Sequence, residues 1–104
     1  MKLRHIAHSR AGDKGNISNI SLIVYNMEDY KIIEKQVTAE KVKNWFSEII
    51  EGDVKRYELP KLGALNFVLE KALGGGVTRT LALDAHGKSL SSALLEMEIE
   101  YEKD

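Results

Sequence analysis

The sequence contains no cysteine. That excludes disulfide frameworks, thiolate zinc sites and cysteine nucleophiles together, and it fits a reducing compartment. Excess charge of either sign is also missing, since fifteen Lys and Arg stand against sixteen Asp and Glu for a formal net charge of -1. The chain therefore lacks the positive field on which sequence-independent nucleic-acid binding rests, and no nucleic-acid partner is expected. No stretch approaches the roughly 20 apolar residues of a spanning helix, and Met1-Lys2-Leu3-Arg4-His5 opens on too short an apolar run for a signal peptide. The expectation is no membrane partner and a cytoplasmic location. Proline is nearly absent, with Pro60 the single instance, and nothing reads as linker, repeat or low-complexity segment.

What is present is the composition of an ordinary folded domain: 104 residues, 43% hydrophobic and 30% charged. This length buries one core without staples, so residues 1–104 read as a single domain. Lys2 to about His8 reads as a short strand that runs into a polar, glycine-containing loop, residues 8–19. Ile17 to Tyr25, with Ile20, Leu22, Ile23, Val24 and Tyr25, has the branched and aromatic content of a second strand. Met27 to Gln36 predicts a short helix with Asn26 as its N-cap and Tyr30, Ile33 and Val37 on one side. Thr38 caps a further helix whose Val42, Trp45, Phe46, Ile49 and Ile50 fall on one stripe, closed by Gly52.

Val54 to Leu59 alternates and stops at Pro60, as a strand does. Leu62, Leu65, Val68, Leu69, Ala72 and Leu73 repeat at helical spacing up to Gly74-Gly75-Gly76, predicting another core helix. Val77 to Leu83 alternates as a strand, and Asp84 to Lys88 reads as a turn. The last segment divides between a short helix over Leu90 to Leu94 and a strand through Leu95, Met97, Ile99 and Tyr101, with the strand favoured. The order β-β-α-α-β-α-β-β describes an α+β two-layer sandwich, helices packed on one face of a sheet.

Chemistry concentrates in the segment from His8 to Asn19. Gly12 and Gly15 allow backbone conformations that aim N–H groups at one point, and Arg10 and Lys14 add positive charge, so a phosphate or carboxylate is the expected ligand, with Asn16 and Asn19 as further contacts. The Walker spacing is missing. The alternative is a solvated turn in which Asp13 and Asn16 bond their own backbone. For catalysis the candidates are Asp13 and His8 as proton carriers and Lys14 as the stabiliser of negative charge, against a reading of His8 as a surface residue. His5 and His8 would point to opposite faces of a strand, and no metal site is expected. Asn66, at the edge of the supposed helical stripe, is expected either to bond the 8–19 segment or to touch ligand, or else to sit at the solvent boundary. Arg56, Tyr57, Arg79, Asp84, His86 and Lys88 are polar positions that chemistry does not single out, and Trp45 and Phe46 read as core.

The runs His8-Ser-Arg-Ala-Gly-Asp-Lys-Gly-Asn16, Val54 to Pro60, Leu62 to Leu69, Ala72 to Gly76 and Asp84 to Lys88 together resemble the small C-terminal domain of AtuA proteins, the acyclic terpene utilisation family. The resemblance covers nearly the whole chain and implies a ferredoxin-like fold with a mainly antiparallel sheet. An apolar sheet face left uncovered by two or three helices would need burial, so a homodimer is expected where no larger partner covers it. The resemblance implies such a large partner subunit, because larger members carry this domain after a long N-terminal one. It also implies bacterial catabolism of acyclic terpenes or related acids, with no cofactor of its own and CoA thioesters as substrates. Two other functions stand beside it: a self-sufficient acid/base enzyme of the hydratase or isomerase class, and a non-catalytic binding or assembly module.

Overall fold

The computed structural model describes residues 1–14, 17–47, 52–70 and 90–101, with 13 and 14 described by their backbone alone. Strands β1 (Ala7–Lys14), β2 (Ile17–Val24), β3 (Val54–Leu59) and β4 (Ala64–Glu70) form one antiparallel sheet in the order β1-β2-β4-β3. Helices α1 (Tyr30–Gln36), α2 (Ala39–Trp45) and α3 (Leu90–Leu94) complete an α+β arrangement of the ferredoxin-like type. Ile20, Leu22, Leu65, Phe67 and Leu69 from the sheet meet Ile33, Val37, Val42, Phe46 and Leu94 from the helical side in one fully buried cluster. By alternation the opposite face, on which no described helix packs, carries exposed Arg10, Gly12, Asn19, Lys55 and Tyr57 around half-buried Ser21 and Asn66.

Residues 8–14 and 17–19 are strand and not loop. They belong to β1 and β2, paired from Ala7 with Val24 to Lys14 with Ile17. The polar content that suggested a loop belongs to a strand with one face in water, where alternate positions are free to be polar. Ala7, Ser9 and Ala11 take the helix side of β1, and Ser9 Oγ donates to the Ser91 carbonyl of α3 at 2.8 Å. The residues before Ala7 are not a strand either: Leu3–His5 is a 3-10 turn, with buried Leu3 anchoring it.

The helix expected over Leu62 to Leu73 is likewise a strand in its described part. Pro60–Leu62 is a 3-10 turn, Gly63 reverses the chain with φ of 62°, and β4 follows with Leu65, Phe67 and Leu69 buried at every second position. Leu65 and Leu69 satisfy both the helical spacing and the strand period, and Phe67 decides between them. Leu62, counted in the helical stripe, is 66% exposed. Ala72 and Leu73, the predicted strand Val77 to Leu83, the turn Asp84 to Lys88, and Ile49 and Ile50 lie outside the described residues.

The remaining elements sit close to expectation. Asn26 makes no side-chain cap, and a 3-10 turn at Met27–Asp29 feeds α1 instead. The Thr38 hydroxyl accepts from the Lys41 amide at 3.0 Å, capping α2 as predicted. Phe46 is buried, but Trp45 is 40% exposed and donates its indole N–H to the Ala93 carbonyl at 3.0 Å. The helix over Leu90 to Leu94 forms, and the chain after it is extended with a single bridge between Lys2 and Glu98, rather than the longer strand favoured from sequence. Met97 and Ile99 are buried on that segment.

Candidate functional site

The solvent face of the sheet is ordered by register. Arg10 pairs with Ser21, Ser21 with Asn66 and Asn66 with Tyr57, so these four residues form a row across all four strands. On one side runs the row His8, Ile23, Ala64 and Leu59, and on the other Gly12, Asn19, Val68 and Lys55. His8, Arg10, Gly12, Asn19 and Asn66, all picked out in the sequence, thus share one surface.

At its centre the Asn66 Nδ2 donates to Asn19 Oδ1 at 3.0 Å and to Ser21 Oγ at 2.9 Å. The amide therefore bonds side chains of β2, not the backbone of a loop. Arg10, next to Ser21 on the edge strand, is exposed and joins none of the ion pairs among the described residues. Lys55 does have a partner, with its Nζ 3.6 Å from Glu70 Oε2. The His8 ring stacks on Tyr25 with centroids 5.2 Å apart and planes 27° apart.

Gly12 is a regular strand position with open space where a Cβ would stand. Its N–H belongs to an extended strand, whose successive amides point to alternate sides, so the converging N–H cradle has no counterpart there. Asp13 and Lys14 occupy the last two positions of β1, in register with Ser18 and Ile17. Gly15 and Asn16 lie outside the described residues. Among the described residues no group of three His, Asp or Glu side chains is arranged to hold a metal.

Arg56 serves the fold. Its Nη1 donates to the carbonyls of Glu34 at 2.7 Å and Val37 at 3.1 Å, and Nη2 to Glu58 at 2.6 Å. It closes the C-terminal end of α1, where helix carbonyls lack partners. Tyr57, one residue on, points to the other face and is 51% exposed beside Asn66.

The family model of the AtuA ferredoxin-like domain matches residues 1–100. The chain belongs to this family. No curated protein and no solved structure matches it.

In this AtuA ferredoxin-like domain the open face offers a free guanidinium, an amide network, two phenols and a half-buried imidazole. Such a set can hold a carboxylate or phosphate through Arg10, whose planar fork matches either group, and can orient it through hydrogen bonds from the central row. Sequence reasoning missed Ser21, Tyr25 and Tyr57. Reading residues 8–19 as a hairpin would have found Ser21 opposite Arg10.

Proposed function

We propose that this chain is the small unit of an AtuA-type protein, acting with a large partner in the catabolism of acyclic terpenes or related acids, handled as CoA thioesters, and that its open sheet face contributes an anion-binding surface. One observation carries the reading: Arg10, exposed and in no ion pair among the described residues, stands beside the Asn66–Asn19–Ser21 network on the face that the described helices leave open. An acid/base enzyme complete in itself needs proton carriers converging on one atom in a site that excludes water. This face is flat and open and its imidazole rests on a tyrosine, an arrangement that suits a surface completed by a second protein. His8 and Asp13 remain the groups through which the assembled site would move protons, and Lys14 the one that would stabilise negative charge.

The test is a thermal-shift titration of the chain with inorganic phosphate, CoA and short carboxylic acids, since a ligand that prefers the folded state raises its melting temperature. A saturable rise that Arg10→Ala removes is the expected result. A rise unaffected by Arg10→Ala, Lys14→Ala and Asn66→Ala would move the anion elsewhere. No rise with any ligand would leave the face as a docking surface alone. Turnover of acyl-CoA by the isolated chain would favour the self-sufficient enzyme.

A further inference from the structure

We infer that, in the chain by itself, the open sheet face pairs with a second copy through reciprocal Arg10–Tyr57 contacts. The inference goes beyond the proposed function and concerns what covers the face when no larger partner does. The face carries the residues that interfaces favour, with Tyr57, Tyr25 and Arg10 exposed on or beside it, and half-buried Ile23 and exposed Leu59 flanking the buried Ala64 in the row that begins at His8.

Register decides how two such faces can meet. Twisted sheets pack face to face with strands nearly aligned. A two-fold axis running across the strands sets each strand on its own copy and, at the central row, stacks Arg10 on Arg10, which like charges oppose. A two-fold axis parallel to the strands, midway between β2 and β4, sets β1 over β3 and β2 over β4. Row partners then face each other: Arg10 over Tyr57, Ser21 over Asn66, Ile23 over Ala64. The free guanidinium meets the exposed phenol ring, a cation–π contact, and the symmetry makes it twice. The hydroxyl and amide of the central row meet as hydrogen-bonding groups, and the row that begins at His8 meets itself.

The size of the face sets the strength. Four strands at about 4.8 Å spacing and roughly 22 Å of strand length give a footprint on the order of 400 Å² per copy. Two such footprints come to about 800 Å² in total, below the size of stable specific interfaces and in the range of weak, transient ones. The dimer is therefore a reversible one, formed as concentration rises.

Because the chain has no cysteine, its register can be read by cross-linking. Arg10→Cys and Tyr57→Cys variants are mixed and treated with a short bis-maleimide. The expected product is a dimer joining position 10 of one copy to position 57 of the other, with little product from either variant alone. Sedimentation equilibrium of the natural chain gives the dissociation constant, which Tyr57→Ala is expected to raise about tenfold because two symmetric contacts are lost. Circular dichroism and melting temperature confirm that each variant is folded. A chain that stays monomeric at every concentration, a dimer indifferent to Tyr57→Ala, or position 10 joined mainly to position 10 overturns the inference. The anion titration is run below the dissociation constant of the dimer, where no second copy engages Arg10, so the two outcomes are read apart.

Discussion

The Asn66 amide donates to the Asn19 side-chain oxygen at 3.0 Å, bridging β4 and β2 on the face of the sheet that the helices leave open. The same nitrogen reaches Ser21 Oγ, so one half-buried amide ties two positions of the neighbouring strand. Asn66→Ala removes both bonds without burying an orphan, because Asn19 and Ser21 can turn to water. The expected cost is about 1 kcal/mol, measured by urea unfolding, with an unchanged m-value. If the variant loses stability yet keeps the full anion-induced rise in melting temperature, the amide is part of the sheet and not of the ligand surface.

Arg56 shows the opposite balance. Its side chain is only 17% exposed and spends its donors on the last carbonyls of α1 and on Glu58. Arg56→Ala leaves those carbonyls partly shielded and unpaired, and a loss of about 2 kcal/mol is expected. Arg56→Lys recovers only part of it, because a single ammonium cannot span two carbonyls and a carboxylate with the geometry of the guanidinium fork. Full recovery by lysine would mean that charge, and not the fork, holds the helix end.

These residues also show what was legible in the sequence. Thr38 and the Val42–Phe46 spacing identified α2 because capping and helical period are local signals. β2 was read as the strand it is, but β1 and β4 were misread for a shared reason, namely that strands take their character from what they pack against. Arg10, Gly12 and Asn19 look like loop residues until β2 pairs with β1 and gives them a wet face, while Ser9 turns inward to α3. Leu65 and Leu69 look helical until β4 lies between β2 and β3, in the middle of the sheet. Arg10 and Asn19 were nonetheless picked out, because polar side chains grouped in sequence signal a surface whether the backbone under them is loop or strand, and Asn66 because an amide at the edge of an apolar stripe needs partners. The Asn66–Asn19–Ser21 network and its place beside Arg10 needed the register, which no local pattern carries.

Among the described residues Gly63 is the one turn position where glycine is required by conformation. Its φ is 62°, and a Cβ there would stand 2.7 Å from the Met27 sulfur and 2.9 Å from Val24 Cγ2. Gly63→Ala combines a left-handed backbone with those two contacts, and a loss of about 2 kcal/mol is expected. In a Met27→Ala background the same substitution should cost less, since the long flexible side chain is gone while the backbone strain stays. Chemical unfolding of the four proteins in that cycle separates the two causes. Equal costs in both backgrounds would assign the whole effect to φ and to Val24.

Tyr30 presents a buried phenol, 7% exposed, whose hydroxyl has no hydrogen-bond partner. Burial raises its pKa above the ordinary value of 10.0, the carboxylates of Glu34 and Glu58 raise it further, and the Arg56 guanidinium opposes them. The folded state thus holds this proton more tightly than the unfolded chain does. Its contribution to stability is fully present below about pH 10 and is lost as pH rises through the higher folded value. Tyr30→Phe removes the orphan hydroxyl and keeps the ring, so at neutral pH it should leave stability unchanged or raise it by about 1 kcal/mol, a melting shift of roughly 4–8 °C upward at most. Above pH 10 the natural chain should lose stability faster than the variant, and the gap between their melting temperatures should widen. A variant that is less stable at neutral pH would mean that the hydroxyl is bonded in solution, and parallel alkaline profiles would mean that Tyr30 does not hold its proton more tightly when folded.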